Sequence, residues 1–168
     1  DYVIGNPPYN ANGSKKVPTN DVKDKKNDGK TIWIAFLKRA ISLTKPKGKV
    51  LFIVPSIWMK PDRARTYHYL MDYKIAKLRC LTNTETNRIF SMEAQTPTCF
   101  FLLVNEKNDY AVDLYDKDRK GYCRYALDPG KPIPVFGATI IGKLRPFVEA
   151  FGHLRVKKTN LPLRGSRF

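Results

Sequence analysis

Apolar residues fall along this chain in short uninterrupted runs and in helical spacings, and each pattern is cut by proline, glycine or a polar cluster. Asp1-Tyr2-Val3-Ile4-Gly5 is apolar and β-branched, which predicts a strand, and it stops at Asn6-Pro7-Pro8-Tyr9, where two prolines prevent further pairing. Residues 10–30 are polar and lysine-rich, with Gly13, Pro18 and Gly29, and predict a long loop. Residues 31–45 place Trp33, Phe36, Leu37, Ala40, Ile41 and Leu43 close to helical spacing before Pro46 and Gly48. Residues 49–54 form a continuous apolar run ended by Pro55, the pattern of a strand covered on both faces. Asp62 heads a second predicted helix reaching about Lys74, with Tyr67, Leu70 and Met71 as its apolar stripe. Residues 76–82 and 98–104 read as strands, and residues 110–115 alternate like an edge strand.

Strand, helix, strand, helix, strand in this order predicts an α/β domain with a largely parallel sheet and right-handed crossovers. Beyond Asp116 the periodicity fades. Pro129, Gly130, Pro132, Pro134 and Gly137 mark a linker, followed by a short predicted helix over residues 140–151 and a basic tail over residues 153–158. The expected division is therefore an α/β unit over residues 1–116 and a linker with the start of a second, basic module over residues 117–168. The chain opens directly on a strand-like stretch without an initiator methionine and ends among polar and basic residues, so it reads as part of a longer protein.

The 168 residues suffice for one sizeable core, and 42% hydrophobic with 27% charged residues is a globular composition that excludes a disordered or collagen-like chain. No run approaches the ~18–20 apolar residues of a membrane span, and the N-terminus lacks a signal-peptide layout, so the expected location is the cytoplasm. Net charge changes the picture further. The total is +16, of which residues 117–168 supply +9 from 12 basic and 3 acidic side chains. Such an excess fits a polyanionic partner, nucleic acid above all, and equally fits a solvated lysine-rich surface. Cys80, Cys99 and Cys123 form no CxxC pair and lie far from His68 and His153, which argues against a zinc site or a disulfide framework. Cys80 and Cys99, inside apolar runs, are expected in the core with Trp33, Phe52, Phe100 and Phe101. Arg39, Lys60, Arg63 and Arg65 are candidates for phosphate contact, each singly better explained as solvated charge.

The chemistry concentrates in Asn6-Pro7-Pro8-Tyr9. Open α/β sheets bind ligands at the carboxyl ends of their strands, where this tetrapeptide is expected. It offers a side-chain amide, a carbonyl on a stiffened backbone and an aromatic face, a set suited to a planar amine: stacking on Tyr9, with Asn6 Oδ1 and the Pro7 carbonyl accepting from an NH2.

Three segments together resemble the S-adenosylmethionine-dependent amino-group methyltransferases, most closely the N6-adenine DNA methyltransferases of restriction-modification type. Residues 1–10 look like that family's catalytic strand and loop, residues 48–58 like its next strand and proline-terminated loop, and Arg88-Ile89-Phe90 with Thr96-Pro97-Thr98-Cys99 like a later motif whose aromatic lines the target-base pocket. The likeness spans residues 1–106. It implies that Asn6 and the Pro7 carbonyl bind the adenine amino group, that Tyr9 stacks on a flipped base, that Phe90 forms another pocket wall and that Pro8 touches the cofactor. It further implies DNA as substrate and S-adenosylmethionine as methyl donor.

The family's glycine-rich strand-to-helix turn is missing, for the chain contains no GxG. The expectation is thus the C-terminal part of a catalytic domain, which alone would bind S-adenosylmethionine poorly and methylate nothing. Two alternatives stay open: an enzyme acting on a protein glutamine amide or a ribosomal-RNA guanine, which face the same planar NH2, and a non-catalytic DNA-binding module of a restriction system.

Overall fold

The computed structural model describes residues 1–11, 31–91, 96–153 and 155. Most of the expected long loop, the link between Phe90 and Thr98 in part, and nearly all of the basic tail lie outside the described residues.

Six strands form one sheet: β1 (Tyr2–Gly5), β2 (Lys49–Pro55), β3 (Tyr73–Cys80), β4 (Thr98–Lys107), β5 (Ala111–Asp116) and β6 (Gly121–Ala126), in the spatial order β1-β2-β4-β3-β5-β6. Helices α1 (Trp33–Leu43), α2 (Thr66–Met71), α3 (Asn83–Ile89) and α4 (Ala138–Phe151) complete the described fold. The α/β class is as expected, and four strands, β1, β2, β3 and β5, run in one direction. Pairing is nevertheless mixed, because β4 inserts antiparallel between β2 and β3, and β6 runs antiparallel to β5. A fully apolar run such as Cys99-Phe100-Phe101-Leu102-Leu103-Val104 reports burial and carries no information on strand direction.

One face of the sheet holds the core. Val50, Phe52, Val54, Leu78, Phe101, Leu103, Val112 and Leu114 are buried together with Trp33, Leu37 and Ile41 of α1 and Tyr67, Leu70 and Met71 of α2. The opposite face is more open: Ile4 and Leu51 are exposed, and Phe100 is only half-buried with the Arg79 guanidinium 6.0 Å from its ring centre. Phe100 therefore leaves the core expected for it, since strand alternation sends it away from Phe101.

Three elements depart from expectation. The second helix is confined to α2, because Arg65 enters it at φ 57° and Lys74 already belongs to β3; Asp62 does serve its start, accepting from the Tyr67 N–H at 3.2 Å. Helix α3 was not expected, and neither was β6. The hairpin β5–β6 straddles the expected boundary at Asp116, so residues 117–126 continue the same sheet. Helix α4 agrees closely with its predicted span and packs on β5 and β6. No described helix is long and apolar enough to cross a membrane.

Candidate active site at the carboxyl edge of the sheet

Because β1, β2, β3 and β5 share a direction, their carboxyl ends meet at one edge. Asn6-Pro7-Pro8-Tyr9 leaves β1 there, a 3-10 turn over Ser56–Met59 leaves β2, and α3 leaves β3. The amino end of the antiparallel β4, with Pro97 and Thr98, joins the same edge, and so does the β5–β6 turn.

Gly5 ends β1 in close approach to β2: a Cβ there would sit 3.2 Å from the Phe52 ring. In the loop Asn6 and Pro8 are exposed, Pro7 is buried and Tyr9 is half-buried. The Tyr9 carbonyl accepts from the Ile32 N–H at 3.1 Å, and Asn10 bridges Thr31, so the end of this loop is tied to the residues that precede α1. Its ring packs against the core, and its hydroxyl is buried without a partner among the described residues. Burial first, and the nearby Cys99 thiol second, push the phenol up to about 12, so Tyr9 stays neutral at working pH. The aromatic of this loop is thus less open than the sequence suggests.

Below the loop Trp58 is fully buried, stacked edge-on against Phe101 at 5.5 Å and donating from Nε1 to Cys99 Sγ at 3.2 Å. Cys80 faces Cys99 across β3 and β4. Both thiols are buried and free, and burial pushes both pKa values up. The turn after β2 is tied to the start of β4, since Ser56 donates to the Pro97 carbonyl from its N–H at 2.9 Å and from Oγ at 3.1 Å.

Phe90 caps the C-terminus of α3, half-buried at the same edge. Its position depends on α3, which Thr82 and Glu85 start through a reciprocal capping box. Thr86, buried in the middle of the helix, pins it to β4: Thr86 Oγ1 accepts from the Thr98 N–H at 3.3 Å and shares a hydrogen bond with Thr98 Oγ1 at 3.1 Å. Glu85 also pairs with Lys117 of the β5–β6 turn, whose side chain is only 9% exposed. Burial raises the Glu85 pKa, but the Lys117 ammonium and the Thr82 hydrogen bonds prevail and hold it at about 2. The Thr82-x-x-Glu85 spacing was present in the sequence as a helix-start signal; the tie to Lys117 left none.

The structure thus brings Asn6, Pro7, Pro8, Tyr9 and Phe90 to one edge, on two elements, the loop after β1 and the end of α3, that apolar packing and threonine hydrogen bonds fix. Arg39, Lys60, Arg63 and Arg65 are all exposed. For S-adenosylmethionine this edge offers Pro8 and the outer edge of β1, which is unpaired among the described residues. It offers no glycine-rich turn. Its acids Glu85 and Asp116 are committed to Lys117 and to backbone N–H groups. The described residues do not by themselves compose a site for that cofactor, and they include no cluster of three or more His, Cys, Asp or Glu able to hold a metal ion.

The first strand of this α/β domain thus ends at the carboxyl edge in an exposed amide, two prolines and a half-buried aromatic. Residues 1–92 match the Eco57I restriction-modification methylase family, more than half of the chain, and the chain belongs to that family. Among solved structures, it is similar at 17% identity to the methyltransferase subunit of a type I restriction-modification system from Streptococcus thermophilus, covering 89% of this chain and 32% of that one at a TM-score of 0.43. It is also similar, at 15% identity, to a chain from a structure concerned with complex assembly and conformational transition of a type I restriction-modification system, covering 90% of this chain and 30% of that one at a TM-score of 0.48. The chain spans about a third of the length of these two structures.

Proposed function

We propose that this chain is the substrate-holding part of an adenine-specific DNA methyltransferase of a restriction-modification system, with S-adenosylmethionine as methyl donor. The observation that carries the reading is the exposed Asn6 amide on a proline-stiffened turn at the carboxyl edge, with Tyr9 beside it and Phe90 at the same edge. The adenine N6 lone pair is delocalised into the ring. Two acceptors aimed at the NH2, Asn6 Oδ1 and the Pro7 carbonyl, favour a more tetrahedral nitrogen whose lone pair becomes available to an electrophilic methyl group. No acid or base catalyst is needed for that, in keeping with a neutral Tyr9. In duplex DNA the N6 group is paired inside the stack, so the base has to turn out, and Tyr9 and Phe90 offset part of the unstacking cost. The basic excess supports a DNA backbone as the partner surface. To Pro8, exposed on this loop, we assign the contact with the methyl donor.

The test is a digest of DNA methylated by the longer protein that contains this chain. N6-methyladenine is the expected product, and Asn6→Ala lowers turnover about 100-fold or more with DNA affinity retained. A methylated guanine, a methylated protein glutamine, or full activity in the Asn6→Ala protein would overturn the reading.

A further inference from the structure

Beside β6 lies a second feature, which opens at the carboxyl edge and runs down the outermost strand toward the opposite edge. Between β6 and α4 lies an open groove lined by Arg119, Arg124, Lys143 and Arg145, over a floor that includes Tyr125 and Gly142, with no acidic side chain in its lining. We propose that this groove binds the phosphates of a duplex DNA backbone, an inference that rests on the DNA reading above and adds to it a site apart from the base pocket.

The four cations come from three elements that buried polar contacts lock together. Asp116, 1% exposed at the end of β5, accepts from the N–H groups of Asp118 at 3.0 Å and Arg119 at 3.4 Å through Oδ1, and from the Thr139 N–H at 2.8 Å through Oδ2. Asp118 Oδ2 accepts from the Gly137 N–H at 2.8 Å. The turn that carries Arg119 is thereby fixed to the start of the helix that carries Lys143 and Arg145. Two carboxylates already serve the α4 N-terminus, so the side-chain cations, and not the helix end, make this site.

Arg145 donates to the Ala126 carbonyl at 3.1 Å and lies 5.6 Å from the Tyr125 ring centre, which holds its planar fork in place. Arg124 is shared with Asp113 at 3.3 Å, while Arg119 and Lys143 are exposed. A Cβ at Gly142 would meet nothing within 4 Å, so the helix wall stays open to an approaching backbone. Guanidinium forks match phosphate oxygens in pairs, and an open groove suits a continuous polyanion better than a small ion that must be enclosed. Placement agrees with this. The β5–β6 turn stands at the edge that holds Asn6, four to five strand spacings away in the sheet order. At ~4.8 Å per spacing that is about 19–24 Å, or about 6–7 base pairs at ~3.4 Å each. One duplex lying along the edge reaches both Asn6 and Arg119, the mouth of the groove.

The experiment titrates a fluorescent 20-base-pair duplex with the full chain at several salt concentrations, without methyl donor. Arg119→Gln with Lys143→Gln should weaken binding at least tenfold and lower the slope of log affinity against log salt by about 2. Lys45→Gln with Lys47→Gln, exposed at the opposite edge, should leave both unchanged. Circular dichroism checks that each variant is folded. An unchanged affinity and slope in the groove variant overturns the proposal, as does an equal loss in the opposite-edge variant, or an equal loss on dextran sulfate, which would mark general polyanion attraction. The two readings separate cleanly. Groove-dependent binding without N6-methyladenine removes the adenine reading and keeps the groove; N6-methyladenine without a groove effect does the reverse.

Discussion

The two ends of the carboxyl edge differ in both chemistry and construction. At β1 the edge presents uncharged groups, the Asn6 amide and the Tyr9 ring, whereas at its other end Arg119 stands in the β5–β6 turn and leads into a groove that Arg124, Lys143 and Arg145 line along β6. The neutral end is set by apolar contacts, Gly5 on Phe52 and Trp58 on Phe101. The cationic end is set by carboxylates, Asp116 and Asp118, on backbone N–H groups. A weakly nucleophilic nitrogen needs acceptors held rigidly in a dry frame, while a phosphate backbone needs cations that stay hydrated until contact. Apolar packing supplies the first, and carboxylate clamps beneath exposed cations supply the second.

Removing the apolar frame gives the largest effect. Trp58→Ala empties a fully buried site beneath the Asn6 loop and should cost about 3–5 kcal/mol in urea unfolding. It should also disturb the β1 end while leaving duplex binding through the groove in whatever fraction remains folded. Asp116→Ala is the counterpart at the other end. It leaves three backbone N–H groups without their acceptor and should cost about 3 kcal/mol. Hydrogen exchange would then show α4 opening well before β1, β2 and β4; simultaneous opening would mean that the two ends are one unit.

Acid titration sharpens the same contrast. Hydrogen bonds from Thr139 lead in holding the Asp116 carboxyl below its ordinary value of 3.8, and Glu85 falls from 4.5 to about 2 despite its burial. Both folded-state values are depressed, so their stabilisation is complete above the unfolded values and is lost as pH falls through the folded ones. Stability should therefore decline below about pH 4.5, with α4 and α3 loosening first. Glu85→Gln should remove part of that decline and cost about 1–2 kcal/mol at neutral pH, because the nearly buried Lys117 loses its partner.

Legibility in the sequence followed the same division. The strands β1, β2 and β4 and the helix α1 announce themselves as apolar runs or stripes stopped by proline, and the tetrapeptide at the end of β1 carries its chemistry in four consecutive residues. The β6 strand does not. Gly121-Tyr122-Cys123-Arg124-Tyr125-Ala126 has a single buried residue, Tyr125, because the strand lies at the sheet margin beside α4. Its pairing is set by the turn after Asp116, and a buried aspartate accepting from backbone looks in sequence like any surface acid. The groove cations were visible only as a net charge, since their convergence depends on contacts between residues 19 to 23 positions apart. Helix α3 was readable from Thr82 and Glu85, and an apolar-stripe criterion passes over it because Thr86 is its one buried residue.

The smallest expected effect concerns the outward side of α4. Ile140, Leu144, Phe147 and Phe151 follow one another at spacings of four, three and four, and all are more than half exposed, Phe147 at 62%. In the structure they contribute nothing to the core, whereas Ala138 on the same helix is 2% exposed. Phe147→Ser should therefore change unfolding free energy by no more than about 0.5 kcal/mol, in contrast to the frame residue Trp58. A loss well above 1 kcal/mol that grows with protein concentration would mean that the stripe is covered between molecules, because only association makes an exposed side chain's contribution depend on concentration. The cationic groove on the other side of the helix would then be flanked by an interface, and its salt dependence would have to be measured at concentrations where the chain is a monomer.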